Sequence, residues 1–107
     1  MAFSSTVSFV GNVAEIAIDG ELDASSAPAF RERIEEAASH NVSKLVIIMS
    51  GLTYMASAGL RVLIFAKQKM GTSVEIVLVG LQDTVKETLE LTGFHHSVTV
   101  VESYDRG

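Results

Sequence analysis

The 107-residue chain has no cysteine and a single proline. Without thiols there can be no disulfide, no thiol nucleophile and no zinc–thiolate site. A reducing compartment is compatible with that usage. Long apolar runs are also missing. The longest, residues 45–49 and 62–66, fall far short of a membrane span. The first Lys or Arg is Arg31, so the N-terminus has no basic region of the kind that opens a signal peptide. Basic residues are few, 8 against 13 acidic ones, giving a net charge of −5. No Lys/Arg-rich run offsets that charge, which repels nucleic-acid phosphates and anionic lipid. With 48% apolar and 20% charged residues, disorder and collagen-like structure are excluded. The expectation is one soluble, cytoplasmic domain over residues 1–107, with a radius of gyration of roughly 13 Å, no nucleic-acid partner and no membrane span.

Charge varies along the chain. Residues 1–40 carry seven acids and two bases, residues 41–80 one acid and four bases, and residues 81–107 five acids and two bases. This is either ordinary surface variation or a central segment that shows a partner a different face.

Residues 7–10 and 13–18 read as strands joined by a tight turn at Gly11 and Asn12, an antiparallel hairpin. In the second strand Ala14, Ile16 and Ile18 share one face, and Val13, Glu15 and Ala17 the other. Residues 19–23 read as a loop. A first helix follows, with Ala27, Phe30, Ile34, Ala37 and Ala38 on one stripe and Arg31, Glu32, Arg33, Glu35 and Glu36 toward solvent. Asp23, Ser25 or Ser26 is expected to cap it, with Pro28 in its first turn. The apolar run at 45–49 suits a central strand covered on both faces, and residues 50–53 read as a loop. A second helix is expected from about 57 to 70, stopped by Gly71. A strand at 74–79, a helix at about 82–92 ended by Gly93, and an edge strand at 98–101 complete the pattern. Leu81, Val85, Leu89 and Thr92 mark the stripe of that third helix. Residues 102–107 are expected to fray. The order β-β-α-β-α-β-α-β predicts an α/β domain. Its sheet is mixed and mostly parallel, with an N-terminal antiparallel hairpin, right-handed crossovers and helices packed on it.

Most catalytic constellations are absent: no phosphate-binding G-x-x-x-x-G-K-[ST] or G-x-G-x-x-G, and no G-x-S-x-G elbow. His95 and His96 are neighbours, expected to diverge, and His40 stands far off in sequence. With no H-x-x-x-H or E-x-x-H to complete a site, no metal is expected. Asp19, Glu21 and Asp23 form either a solvated loop, the favoured reading, or a cation or acid-pair site. The stretch from Ser50 to Leu60 joins a buried strand to a helix, where ligand and partner sites gather in such sheets. Ser57 falls at or beside the helix N-cap. The residues alone favour a plain cap, whose hydroxyl satisfies an open N–H. The alternative is a phosphorylation site, because a helix N-terminus favours phosphate. On a helical wheel Gly59, Val62, Leu63, Ala66 and Met70 face the sheet. Ser57, Arg61, Ile64 and Gln68 lie opposite, with Phe65 near their edge. Ile64 and Phe65 exceed what one core face needs. Either they meet a partner or neighbouring elements cover the helix on both sides.

The stretch at 44–63, KLVIIMSGLTYMASAGLRVL, resembles the signature of STAS domains, most closely the free-standing anti-sigma factor antagonists of bacteria. Gly20-Glu21-Leu22-Asp23, Val77-Leu78-Val79-Gly80 and Leu91-Thr92-Gly93-Phe94 extend the match, in order, over nearly the whole chain. The resemblance implies a non-enzymatic regulator without cofactors that binds an anti-sigma factor with serine kinase activity. It implies phosphorylation at Ser57, reversal by a PP2C-type phosphatase, and a monomer or weak homodimer. The partner face is expected to include Asp23, Ser57, Ala58, Gly59, Arg61, Ile64 and Gln68. Two positions depart from the family pattern: Ala56 and Ile48 stand where Asp is usual, and both changes are expected to strip negative charge from around Ser57. Two rival readings are a non-switching STAS subunit of a signalling or lipid-transport assembly, and an enzyme or small-ligand binder using Asp19, Glu21, Asp23 and Ser57.

Overall fold

A computed structural model describes residues 2–104. Its elements are β1 (Ser4–Val10), β2 (Val13–Leu22), α1 (Ala27–Ala38), β3 (Lys44–Met55), α2 (Ser57–Met70), β4 (Glu75–Val79), α3 (Asp83–Thr92), a 3₁₀ turn (Phe94–His96) and β5 (Thr99–Val101). The sheet runs β1-β2-β3-β4-β5, with β1 antiparallel to β2 and every other pair parallel. The radius of gyration is 12.4 Å. The expected element order and mixed sheet are therefore observed. The 3₁₀ turn was not foreseen.

Periodicity explains the core. Ala14, Ile16 and Ile18 from β2, Leu45, Ile47 and Met49 from β3, and Ile76 and Leu78 from β4 point to one face. There they meet Phe30 and Ile34 of α1, Val62, Leu63 and Ala66 of α2, and Val85 and Leu89 of α3. Each fully buried large side chain among them contributes about 1.5–3 kcal/mol of transfer free energy. Among the described residues no helix packs on the other face. Val46, Val77 and Val79 are buried there beneath Val13, Ile48, Val101 and Tyr104. The expectation that the 45–49 strand is covered on both faces is therefore observed, with Leu45, Val46, Ile47 and Met49 all buried. The Tyr104 ring packs on the helix-free face and lies 5.8 Å from Lys44 Nζ. Residues 105–107 lie outside the described residues.

Two corrections bear on the site. Residues 19–22 and 50–53 are not loops; they extend β2 and β3. Parallel pairing continues past an irregularity, with Asp19 beside Gly51, Gly20 beside Leu52, Glu21 beside Tyr54 and Leu22 beside Met55. The register shifts fall between Ala17 and Asp19 and between Gly20 and Glu21. Gly20 has φ +92°, and a Cβ there would strike the Ala2 carbonyl oxygen, so glycine is needed at this bulge. Gly and polar residues look like a loop in sequence, yet the neighbouring strand satisfies their backbone. Two side chains of the α3 region hold the end of β3. Gln82 Nε2 donates to the Ser50 carbonyl at 2.8 Å, and Thr84 Oγ1 to the Thr53 carbonyl at 3.0 Å.

Candidate functional site

Because β3 reaches Met55 and α2 starts at Ser57, one residue separates strand from helix. That residue is Ala56, in extended conformation at the N-cap, and its N–H donates to the Leu22 carbonyl at 2.8 Å. The start of α2 is thereby tied to the end of β2 as well as to β3. Its carbonyl accepts from Gly59 N at 3.0 Å and Leu60 N at 3.2 Å, which closes the first turn.

Ser57 is the first helical residue and is exposed. Among the described residues no side chain caps α2, so the plain-cap reading of the Ser57 hydroxyl is corrected. A side-chain cap is the work of the residue before the helix, and here alanine holds that place. The hydroxyl therefore points to solvent at the open end of a helix, at the carboxyl edge of the sheet.

The structure places the other expected face residues unevenly. Arg61, Ile64 and Gln68 are exposed on the same side of α2 as Ser57, and Ile64 keeps 40% of its surface accessible. Ala58 is half-buried. Gly59 is buried: a Cβ there would stand 2.6 Å from Leu22 Cδ2 and 2.8 Å from Met55 Cγ. It lets α2 approach the strand ends and has no side chain to offer a partner. Leu60, which the wheel did not assign to the sheet side, is buried too.

Asp23 follows the end of β2 directly, so its turn and the start of α2 leave adjacent strand ends. Its Oδ1 accepts from the Ser25 hydroxyl at 2.7 Å, Ser25 N at 2.9 Å and Ser26 N at 3.1 Å. These bonds, the Ser25 hydroxyl first, hold the carboxyl below its ordinary value. Ser26 Oγ donates to the Glu21 carbonyl at 2.9 Å, while Ala27 N donates to the Asp23 carbonyl at 2.9 Å. Asp23 thus braces the turn ahead of α1. Ser26 is the boundary residue but makes no side-chain cap.

Ile48 packs on the helix-free face, against the Val46 cluster. Of the two positions where Asp is usual, Ala56 directly precedes Ser57, while Ile48 belongs to the opposite face of the sheet. Among the described residues no hydrogen bond joins Ser57 to Asp19, Glu21 or Asp23. Asp19 Oδ2 accepts from Ser4 Oγ at 3.4 Å, and among the described residues no three His, Asp or Glu side chains gather into a metal-binding group. His95 and His96 do not diverge: their rings lie 3.9 Å apart. His40 instead stacks on Phe9 at 3.9 Å.

Two residues of the site escaped the sequence reading. Tyr54 is 49% exposed near the end of β3, three residues before Ser57. Its only signal was an aromatic residue in what read as the approach to a helix. Arg31, assigned to solvent, reaches across to α2 and lies 4.0 Å over the Phe65 ring.

The family model for the STAS domain matches residues 5–106. The anti-sigma-F factor antagonist RsfB of Mycobacterium tuberculosis is 33% identical over 88 residues, covering 82% of this chain and 72% of that protein. An anti-sigma factor antagonist from Mycobacterium paratuberculosis has the same fold, with a TM-score of 0.90 at 23% identity over 97% of this chain and 89% of that one. The phosphorylated form of the Bacillus cell fate determinant SpoIIAA superposes with a TM-score of 0.75 at 16% identity, over 95% of this chain and 93% of that one. The chain belongs to the STAS-domain family of anti-sigma factor antagonists. Members of this family are regulators, not enzymes. No helix among the described residues is long and apolar enough to cross a membrane.

Proposed function

We propose that this protein is a cytoplasmic anti-sigma factor antagonist. It binds an anti-sigma factor with serine kinase activity through the start of α2 and is switched off by phosphorylation of Ser57. The observation that carries the reading is the placement of Ser57: exposed, uncapped, and held by a one-residue link at the carboxyl edge of the sheet. A phosphate there meets the open amides of the first helical turn and the positive end of the helix dipole. The added charge of about −1.5 to −2 changes the docking face without breaking the helix. Arg61, Ile64 and Gln68, with Tyr54 and the Asp23 turn beside them, supply that face. A PP2C-type phosphatase would restore the binding form.

The non-switching reading, a STAS subunit of a larger assembly, is favoured by one feature: Ala56 places no carboxylate beside the acceptor serine. Intact-mass analysis of protein from its native host, and of protein incubated with the anti-sigma kinase of that host, decides between them. The switch requires a phosphoryl adduct that maps to Ser57 and is lost in Ser57→Ala. Phosphorylation undiminished in that variant would refute the assignment. Binding to the kinase with no adduct would favour the non-switching subunit.

A further inference from the structure

The N-terminal halves of α1 and α2 flank a cavity of about 290 Å³. Its apolar lining comes from Ala27, Pro28, Ala58 and Val62, and Arg31 and Arg61 face it from the two helices. No carboxylate lines it. Neither arginine belongs to an ion pair among the described residues, in a protein whose net charge is −5. Lys67 and Lys86 are also outside ion pairs, but they line cavities that contain acids: Glu75 with Lys67, and Asp83 and Glu102 with Lys86. Of these three cavities, the α1–α2 one pairs two cations with an acid-free apolar lining.

Arg31 sharpens this. Glu35 stands four residues on, at the spacing where a helix normally pairs opposite charges. The guanidinium instead crosses to the Phe65 ring at 4.0 Å. A guanidinium placed over a ring satisfies one face by cation–π attraction, while its in-plane N–H edge stays open. That edge is a preformed donor fork for a carboxylate. The cavity lies at the small end for ligand sites, room for one or two side chains and too little for a large cofactor. The net charge of −5 over the whole chain disfavours a long polyanion such as a nucleic acid.

We propose that this groove seats an acidic segment of a protein partner. A carboxylate lies between Arg31 and Arg61, and an adjacent apolar side chain rests on Ala27, Pro28, Ala58 and Val62. The inference rests on the proposed function only in taking the occupant to be a protein, and it specifies the chemistry of that partner. Because Arg61 is one helical turn beyond Ser57, a phosphate at Ser57 would compete with the carboxylate for the same cation.

A peptide-display library of random sequence, panned on the wild-type chain, tests this without knowledge of the partner. The enriched sequences are expected to place Asp or Glu next to a large apolar residue. A synthetic copy of the best one should bind about tenfold or more weakly to Arg31→Glu and to Arg61→Glu, with the folded circular dichroism spectrum retained in both. Amide shifts on titration should centre on Ala27, Ala58 and Val62. Neutral or basic consensus sequences, no enrichment at all, or wild-type binding by the two charge-reversed variants would each overturn the proposal. If a variant proves unfolded, the mapped shifts on wild-type protein decide alone: shifts elsewhere overturn it. The kinase assay on Ser57 stands or falls separately from all of these outcomes.

Discussion

Replacing Gly59 by alanine is the sharpest probe of how the site is held. The new methyl would sit 2.6 Å from Leu22 Cδ2 and 2.8 Å from Met55 Cγ. Ordinary carbon contacts lie at about 3.5–4.0 Å, so the overlap is about 1 Å on two sides. Neither neighbour can swing aside, since Leu22 is fully buried and Met55 is 4% exposed. Both also close the paired ends of β2 and β3. Overpacking of this kind costs about 1–3 kcal/mol. Against it stands the helix preference of alanine over glycine, at most about 1 kcal/mol in a helix interior and less in a first turn. The net expectation is a loss of about 1–2 kcal/mol. For a domain of this size that lowers the melting temperature by roughly 5–10 °C. Urea unfolding followed by circular dichroism checks it, with an unchanged dependence on denaturant expected. A variant as stable as the wild type, or more so, would refute the reasoning. It would mean that α2 slides freely on the strand ends and that the Ala56 link does not pin Ser57.

Three other outcomes are expected. Ile64→Asp should weaken partner binding by about 2 kcal/mol, as loss of an anchor does. It should also cost about 1–2 kcal/mol of folding stability, because only 40% of Ile64 is exposed and the rest is covered; paired thermal melts and binding titrations separate the two effects, and a wholly unfolded variant would show Ile64 to be core. Asp23 has a carboxyl pKa lowered from 3.8 by its serine and amide donors, so its contribution to stability is complete above that value and disappears as pH falls through the lower folded value. Melting Asp23→Ala beside the wild type should therefore show a gap at neutral pH that closes in acid; a gap independent of pH would rule out the carboxylate as its source. Ala56→Asp should raise the rate of Ser57 phosphorylation by the anti-sigma kinase with an unchanged dichroism spectrum, because it restores the acid usual in the family; an equal or slower rate would show that the kinase reads other residues.

The sequence was most legible where one element decides its own pattern. The stripe of α1, the stops at Gly71 and Gly93, the hairpin at Gly11, and the split of α2 into a buried and an exposed side all follow from local periodicity and turn chemistry. For α2 the outer side reads Ser57, Arg61, Ile64 and Gln68 at helical spacing, and all four are exposed. The lengths of β2 and β3 were not legible. Residues 19–22 and 50–53 carry the composition of loops, and their strand character comes from pairing with each other across a bulge, between segments about thirty residues apart in sequence.

By itself, the sequence determined the element order, the apolar faces that build one core, and the presence of a serine at the start of the second helix. These depend on neighbours within a few residues, where the backbone period sets which side chains share a face. Only the tertiary structure decided how the serine is presented. The extended β2–β3 pairing shortens the strand-to-helix link to Ala56, and the close approach at Gly59 locks α2 onto the strand ends. The meeting of Arg31 with Phe65 across two helices opens a cationic, acid-free groove beside it. Each of these is a contact between residues distant in the chain. No local pattern encodes such contacts, because their geometry is set by how the helices pack on the sheet.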